Sequence, residues 1–463
     1  MQDFRQESDS MGAIEVPNDR YWGAQTQRSL LYFNIGQETM PQPVIYALAL
    51  IKKAAAFANQ SLGHLKPDLA QAITQACEEI LAGQWDSHFP LKVWQTGSGT
   101  QTHMNINEVI ANRANQILGH PLGSKTPVHP NDHVNYGQSS NDCFPTAMHI
   151  ATVQILSHQL LPVLKMFQQG LVEKAKLFHD LVKVGRTHLQ DALPLTLGQE
   201  FSAFAHQVER AIQYLEGCLP SLYPIAQGGT AVGTGLNCPS GFVDLFIIEL
   251  NRLTGLSFTS SENKFDALAS HDALVALSGA LNTLAVCCMK IANDIRWLAS
   301  GPRCGLQEIS LPENEPGSSI MPGKVNPTQA EALTMACCQV MGNHTTITIA
   351  GSQGHFQLNV FKPVIIYNIL QSMHLLGDAC RSFTDHCLKG LTPNSDQLQR
   401  NLDDCLMLAA ALNPVIGYDK AAQMAHQAFK EHKSLETVLV QSGIMTQEEY
   451  KRFQAEQIEK LKA

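Results

Sequence analysis

An all-α fold built on long helices packed side by side is what this sequence predicts, on three observations. The clearest is the series Leu274, Leu277, Leu281, Leu284, Cys288, Ile291, Ile295 and Leu298, in which apolar residues alternate three- and four-residue steps. That stepping is a heptad seam, which an α-helix presents as one continuous stripe. The same stepping recurs in Val153, Leu156, Leu160, Leu164, Phe167 and Leu171, and again in Phe201, Phe204, Val208, Ile212 and Leu215. The third observation is length. A chain of 463 residues exceeds one ordinary core, and helices of roughly 25 residues are about 40 Å long, so they cannot wrap a small core and must form a bundle.

Taken in chain order, residues 1–138 mix short helical patterns with turns: 47–59 and 70–82 read as helices, punctuated by Gly63, Pro67 and Gly83. Residues 139–390 hold the long segments. Pro162 interrupts the first of them and predicts a kink rather than an end. Residues 331–341, with Ala332, Leu333, Met335, Ala336, Cys337, Cys338, Val340 and Met341, are apolar nearly all round. That predicts burial on every side, with neighbouring subunits supplying part of it. Beyond residue 390, Pro393, Pro414 and Gly417 shorten the pattern, and 391–463 reads as a small helical domain. The expected organisation is therefore three domains, 1–138, 139–390 and 391–463.

Composition narrows the function. Hydrophobic residues at 44% and charged residues at 16% suit a globular chain with much buried surface. A net charge of -9 and the lack of any Lys/Arg-rich run exclude a nucleic-acid backbone as partner. An anionic substrate would have to be held by local donors and one or two placed cations. The twelve cysteines include no C-x-x-C pair, and the doublets Cys287-Cys288 and Cys337-Cys338 lie in apolar stretches, which is core usage and not a disulfide framework or metal cage. Residues 1–10, with Asp3, Glu7 and Asp9 against Arg5, resemble neither a signal peptide nor a transit peptide, so a cytoplasmic location is expected. No apolar stretch long enough to span a bilayer occurs without polar interruption, so no membrane partner is expected.

Four runs concentrate hydroxyls, amides and glycines, and read as loops carrying function. Thr96-Gly97-Ser98-Gly99-Thr100 offers hydroxyl donors on a backbone free to approach a ligand, or is a plain turn. His129-Pro130-Asn131-Asp132 with Gln138-Ser139-Ser140-Asn141-Asp142 could cradle an anion, or form an Asx turn and a helix cap at Asn141 or Asp142. Gly185-Arg186-Thr187-His188-Leu189-Gln190-Asp191 holds a histidine able to carry a proton near neutral pH, or a structural one. In the fourth, residues 317–327, Ser318, Ser319, Lys324 and Asn326 lie among Gly317, Pro322, Gly323 and Pro327 behind Pro312-Glu313-Asn314-Glu315-Pro316, a length that suits a lid. Ser318 acts as a base only if amide N–H groups and a cation such as Lys324 stabilise its oxyanion. Thr328-Gln329-Ala330-Glu331 fits a capping box, which gives Glu331 a structural role as readily as a catalytic one.

These residues resemble the fumarase/aspartase superfamily, and within it the fumarase branch that needs no iron–sulfur cluster. Residues 317–327 look like its signature loop. The likeness extends from Asp9-Ser10-Met11-Gly12 and Tyr21-Trp22-Gly23-Ala24-Gln25-Thr26-Gln27 through Gly228-Gly229-Thr230-Ala231-Val232-Gly233-Thr234-Gly235-Leu236-Asn237 to Gly417-Tyr418-Asp419-Lys420. It implies a three-domain, nearly all-helical protomer whose long helices form a twenty-helix core in a homotetramer, with each active site assembled from loops of three subunits. His188 and Gly323 stand where the aspartate ammonia-lyase branch usually has Gln and Ala, and Ser139-Ser140-Asn141 also resembles the fumarase form. An ammonia-lyase acting on aspartate and a non-catalytic, crystallin-like relative are the alternatives.

What the resemblance implies chemically is the reversible anti elimination of water from (S)-malate to give fumarate, a step of the tricarboxylic acid cycle, with no cofactor and no metal. Ser318 would be the base and His188, oriented by Glu331, the acid, or the two roles reversed. Ser98, Thr100, Ser139, Ser140, Asn141 and Thr187 would hold the substrate carboxylates, joined by Ser319, Lys324 and Asn326 from the signature loop. His129, Asn131 and Asp132 would form a secondary carboxylate site. There the chain departs from the family, with Thr126 in place of a basic residue and Tyr136-Gly137 in place of a Lys-Ser pair, which leaves less positive charge near that site than the resemblance implies.

Overall fold

The seam beginning at Leu274 lies along one unbroken helix, Asp272–Leu298, in the computed structural model, which describes residues 3–462. Met1, Gln2 and Ala463, at the ends of the first and last expected domains, lie outside the described residues. Leu274, Leu277, Leu281, Leu284, Cys288, Ile291, Ile295 and Leu298 are all buried. At roughly 25 cal/mol per Å² of apolar surface removed from water, one such stripe is a major source of stability.

The second seam shows what a proline does to a long helix. Helix Ser140–Ile155 passes into a π-type turn, Leu156–Leu160, and resumes as Leu161–Leu177. Pro162 has no N–H to donate, and the ladder widens just ahead of it. Leu156, Leu160, Leu164, Phe167 and Leu171 nonetheless stay buried. The third seam occupies Leu197–Leu222, and Thr328–Gly351 and Lys362–Phe383 complete the long helices. In the first expected domain the helices are longer than their apolar patterns: Gln42–Ser61 and Pro67–Leu81, the second opened by Pro67 at its first position, where a missing N–H costs nothing.

Of residues 331–341, Leu333, Cys337 and Val340 face inward in the single chain, whereas Met335 is 68% exposed and Cys338 is exposed, on the sides where burial is expected from neighbouring subunits. Two helical stretches, Ser140–Leu177 and Asp272–Leu298, are long and apolar enough to cross a membrane by composition. Polar residues interrupt both, but too sparsely to lower the mean, and their apolar seams are packed inside the protein.

Contacts divide the chain into two units. One comprises Met1–Leu161, Gln213–Thr283 and Cys338–Leu375, the other Pro162–Ile212, Leu284–Cys337 and Leu376–Ala463. Strands are few: an antiparallel hairpin Phe4–Asp9 with Gly12–Pro17, a second hairpin Val182–Thr187 with Gln190–Thr196, and two-residue pairs elsewhere. Within the second unit, residues 408–453 own a separate core of Leu408, Leu412, Met424, Leu435, Val438, Leu439, Tyr450 and Phe453.

Candidate active site

The expected site residues fall into two groups, one in each unit. In the first unit, Gly99 adopts φ 77° and caps helix Thr100–Ile117 without a side-chain bond. A Cβ on Gly99 would lie 2.3 Å from the Phe144 ring, and one on Gly97 1.4 Å from the Val360 carbonyl oxygen, so neither position admits a side chain. The loop is thereby held against the chain while Ser98 Oγ and Thr100 Oγ1 sit 2.8 Å apart at the amide-rich end of the helix, where orphan N–H groups favour an anion.

The second run begins helix Ser140–Ile155, and its cap is Ser139, not Asn141 or Asp142 as expected. Ser139 Oγ accepts from Asn141 N–H at 3.2 Å, and Asp142 Oδ1 accepts from Ser139 N–H at 3.0 Å, completing a capping box. Asp142 is fully buried, and its Oδ2 accepts from the amides of Gly228 (3.1 Å) and Thr230 (2.9 Å). Burial pushes its carboxyl up to about 6 against the pull of those amides and of Lys52. Asn141 Nδ2 donates to the Ala231 carbonyl at 2.8 Å, a second tie to the same glycine-rich loop. Ser140 Oγ lies 2.7 Å from His103 Nδ1.

Around His129 the picture is different. Its Nδ1 accepts the amides of Asn131 and Asp132, both at 3.2 Å, capping the turn Pro130–Val134. A cavity of about 200 Å³ beside it is lined by His129 and Asn131 together with Glu7, Asp9, Glu108 and Lys125. The lysine, the one cation on that wall, already donates to the Ser8 carbonyl, and Thr126 adds no charge.

In the second unit, the run holding His188 is no loop: it is the tip of the hairpin Val182–Thr187/Gln190–Thr196, with Thr187 paired to Gln190. His188 and Leu189 form the two-residue turn, with φ of 56° and 59°. Two successive left-handed residues suit the right-handed strand twist of a tight hairpin, but neither is glycine or asparagine, so the turn carries strain. Thr187 and His188 are exposed there.

The signature loop is fastened at its base. Gly317 N–H donates to the Lys324 carbonyl at 3.1 Å, Asn326 Nδ2 donates to the Gly317 carbonyl, and a Cβ on Gly317 would fall 2.1 Å from the Lys324 oxygen. Within that ring Ser318 Oγ accepts the amides of Ile320 (3.3 Å) and Met321 (3.1 Å), a small nest that favours negative charge on the oxygen. The amides expected around Ser318 are therefore present, whereas Lys324 turns no bond toward it. Ser319, Ile320, Met321 and Lys324 are exposed. A cavity of about 760 Å³ borders the loop, lined by Lys324, Val325 and Asn326 with Arg296 and Trp297.

Thr328 is the first residue of helix Thr328–Gly351, not its cap, so the capping box expected with Glu331 does not form. The Glu331 amide bonds the Pro327 carbonyl at 3.0 Å, and its side chain is half-buried. No hydrogen bond joins His188, Ser318 and Glu331 among the described residues. Nor does any group of three His, Cys, Asp or Glu side chains there converge as metal ligands.

Several buried polar groups lie outside the four runs that the sequence marks. Lys52, His103 and Lys362 are fully buried polar residues on apolar helical faces. Burial pushes the Lys362 ammonium down to about 7, and the Lys362 amide donates to the Gly97 carbonyl at 3.1 Å. The available signal was a lysine where the helical stripe calls for an apolar side chain.

The sequence matches the family described as Lyase over residues 12–342 and the Fumarase C C-terminus over residues 408–454. It is 61% identical over 451 residues to the class II fumarate hydratase of Thermosynechococcus vestitus, covering 97% of each chain. It is 59% identical to fumarate hydratase class II 1 of Pseudomonas aeruginosa, covering 96% of each. The fold matches the crystal structure of recombinant class II fumarase from Schistosoma mansoni with a TM-score of 0.94 and 46% identity, covering 97% of this chain and 98% of that one.

Proposed function

Since the chain belongs to the lyase family, alongside the class II fumarate hydratases, we propose that its two groups of polar residues are parts of one active site interconverting (S)-malate and fumarate. The enzyme is a hydro-lyase. Dehydration removes a proton from carbon 3 of malate and hydroxide from carbon 2. The hard step is the carbanion next to a carboxylate, which is stabilised as an aci-carboxylate when donors are already aimed at it.

Ser318 takes the carbon 3 proton in this reading. The observation that carries it is the pair of amides on Ser318 Oγ inside a loop that only glycine at 317 can close. His188, oriented by Glu331, protonates the departing hydroxyl from the opposite face, giving water. Lys324, Asn326 and Ser319 stabilise the developing charge. Ser98, Thr100, Ser139, Ser140, Asn141 and Thr187 hold the carboxylates. His129, Asn131 and Asp132 form the proposed secondary carboxylate site, with the cavity beside them as its seat.

The proposed assembly is a homotetramer with each site shared among three subunits. Supporting it are the exposed Met335 and Cys338 face on helix Thr328–Gly351 and the exposed Ile320 and Met321 on the signature loop. The proposed domains are 1–138, 139–390 and 391–463, and the core of residues 408–453 supports the last of them. The proposed compartment is the cytoplasm, where thiols as numerous as these remain free.

Assaying purified protein with malate, fumarate and aspartate in the presence of a chelator, by the ultraviolet absorbance of fumarate, tests the reading. Malate is expected to be dehydrated and aspartate left intact; no malate dehydration would sink it.

A further inference from the structure

Lys52 has no exposed surface on helix Gln42–Ser61, and its Nζ has three close partners, His103 Nε2 at 2.7 Å, Asn135 Oδ1 at 2.9 Å and Gln138 Oε1 at 3.0 Å, with Cys143 Sγ a distant fourth at 3.9 Å. The two amides cannot turn round. Asn135 Nδ2 donates to the Gln138 carbonyl at 3.2 Å, and Gln138 Nε2 to the carbonyls of Val134 (3.2 Å) and Tyr136 (3.3 Å), so both present oxygen to the lysine. An ammonium has three protons and no lone pair. Two go to the amides, and the third goes to His103, whose Nε2 must accept it.

A neutral imidazole carries one proton, and with Nε2 accepting, that proton sits on Nδ1, 2.7 Å from Ser140 Oγ. Burial and the adjacent Lys52 charge hold His103 far below its ordinary pKa, in keeping with a neutral ring. Ser140 therefore receives a hydrogen bond from behind, and its own proton is left to point outward. We infer that Lys52 and His103 are positioning residues that fix Ser140 as a hydrogen-bond donor to a substrate carboxylate, which rests on the proposed placement of Ser140 at that carboxylate.

The lysine's charge is what sets the direction of the chain. With an apolar group at position 52, the imidazole is free to carry its proton on Nε2 and take the Ser140 proton on Nδ1. Ser140 would then show a carboxylate only lone pairs. A buried ammonium is costly and packs no better than an apolar side chain of its size, so its presence fits a polar task more readily than a structural one.

A double-mutant cycle tests this on the full chain, with kcat and KM for malate read by ultraviolet absorbance and folding checked by thermal melts. Lys52→Met and Ser140→Ala are each expected to lower kcat/KM about tenfold or more, the range of a charge-assisted hydrogen bond, and the double variant to be no worse than the poorer single one. His103→Leu should behave like Lys52→Met. His103→Asn, whose amide can donate to Ser140 without the lysine, should lose clearly less, and Lys52→Met/His103→Asn should recover most of what Lys52→Met loses. Multiplicative losses in the cycle, or His103→Asn as poor as His103→Leu, would overturn the relay while leaving Ser140 in the site. An unimpaired Ser140→Ala enzyme would overturn the placement of Ser140 and the relay with it. Should Lys52→Met fail to fold, the two His103 variants decide the matter with Lys52 intact.

Discussion

Arg186 Nη1 lies 2.6 Å from Glu308 Oε1, and Glu308 is fully buried beneath the strand Val182–Thr187 that leads to His188. Lys183, on the same strand, bonds Glu200 Oε2 at 2.9 Å and lies 3.0 Å from Glu308 Oε2. One carboxylate thus fastens both cations of the hairpin whose tip carries the proposed acid. Glu308→Ala is expected to leave Lys183 and Arg186 short of a buried partner, at a cost of about 3–5 kcal/mol. A lowered thermal midpoint together with depressed turnover is the expected result; unchanged values in both would show that the hairpin is held by something else.

The proposed acid and base are open to direct substitution. Ser318→Ala and His188→Asn should each lower kcat by about 10²–10⁴, the range for a positioned proton-transfer group, with sedimentation unchanged. Near-normal turnover in either would remove that residue from the scheme.

The seams were legible because a heptad repeat has no other stable outlet, and Leu274 to Leu298 are buried as the stepping requires. The signature loop was legible for the opposite reason: Gly317 and Gly323 leave it no regular element, and its hydroxyls and amides have only a site to serve. The hairpin at His188 was not, because its turn has φ 56° and 59° on His and Leu, where turn chemistry expects Asn or Gly. Lys52 and His103 escaped notice too. Their partners, Asn135, Gln138 and Ser140, lie on other elements, and only tertiary packing brings them together.

Closure of the signature loop depends on one missing Cβ. Gly317→Ala would put a carbon 2.1 Å from the backbone oxygen of Lys324, which no side-chain movement can relieve. The ring should spring open and Ser318 lose its fixed amides. Because the loop is largely exposed, kcat should fall at least about tenfold while the thermal midpoint moves within about 2 °C. An equal fall in stability would mean that the loop supports the fold as well.

Glu108 gives a pH dependence of definite sign. It is buried, accepts the amides of Gly23, Gln25 and Thr26 and the Thr26 hydroxyl, and is pushed by burial up to about 7 from 4.5. With the folded pKa above the unfolded one, the native state binds the extra proton between those values, so its contribution to stability falls as pH rises from about 4.5 to about 7. The loss amounts to roughly 3 kcal/mol. Comparing urea unfolding of the wild type and Glu108→Gln across that range should show the slope in the first and not in the second.

Assembly is tested on helix Thr328–Gly351. Its inward residues Leu333, Cys337, Val340 and Ile347 are buried, while Met335 and Ile349 on other faces are 68% and 58% exposed, and Glu331 is its one charged residue. A helix this poor in charge is unstable against water on its open side unless another apolar surface covers it. Met335→Arg combined with Ile349→Arg should place two charges in the proposed subunit contact without disturbing the chain's own core. Sedimentation velocity is then expected to show a smaller species, and turnover should fall with it, because loops of other subunits would be lost from the site. A smaller species that remained fully active would separate the two proposals, keeping the assembly and rejecting the shared site. An unchanged mass would reject this helix as the contact.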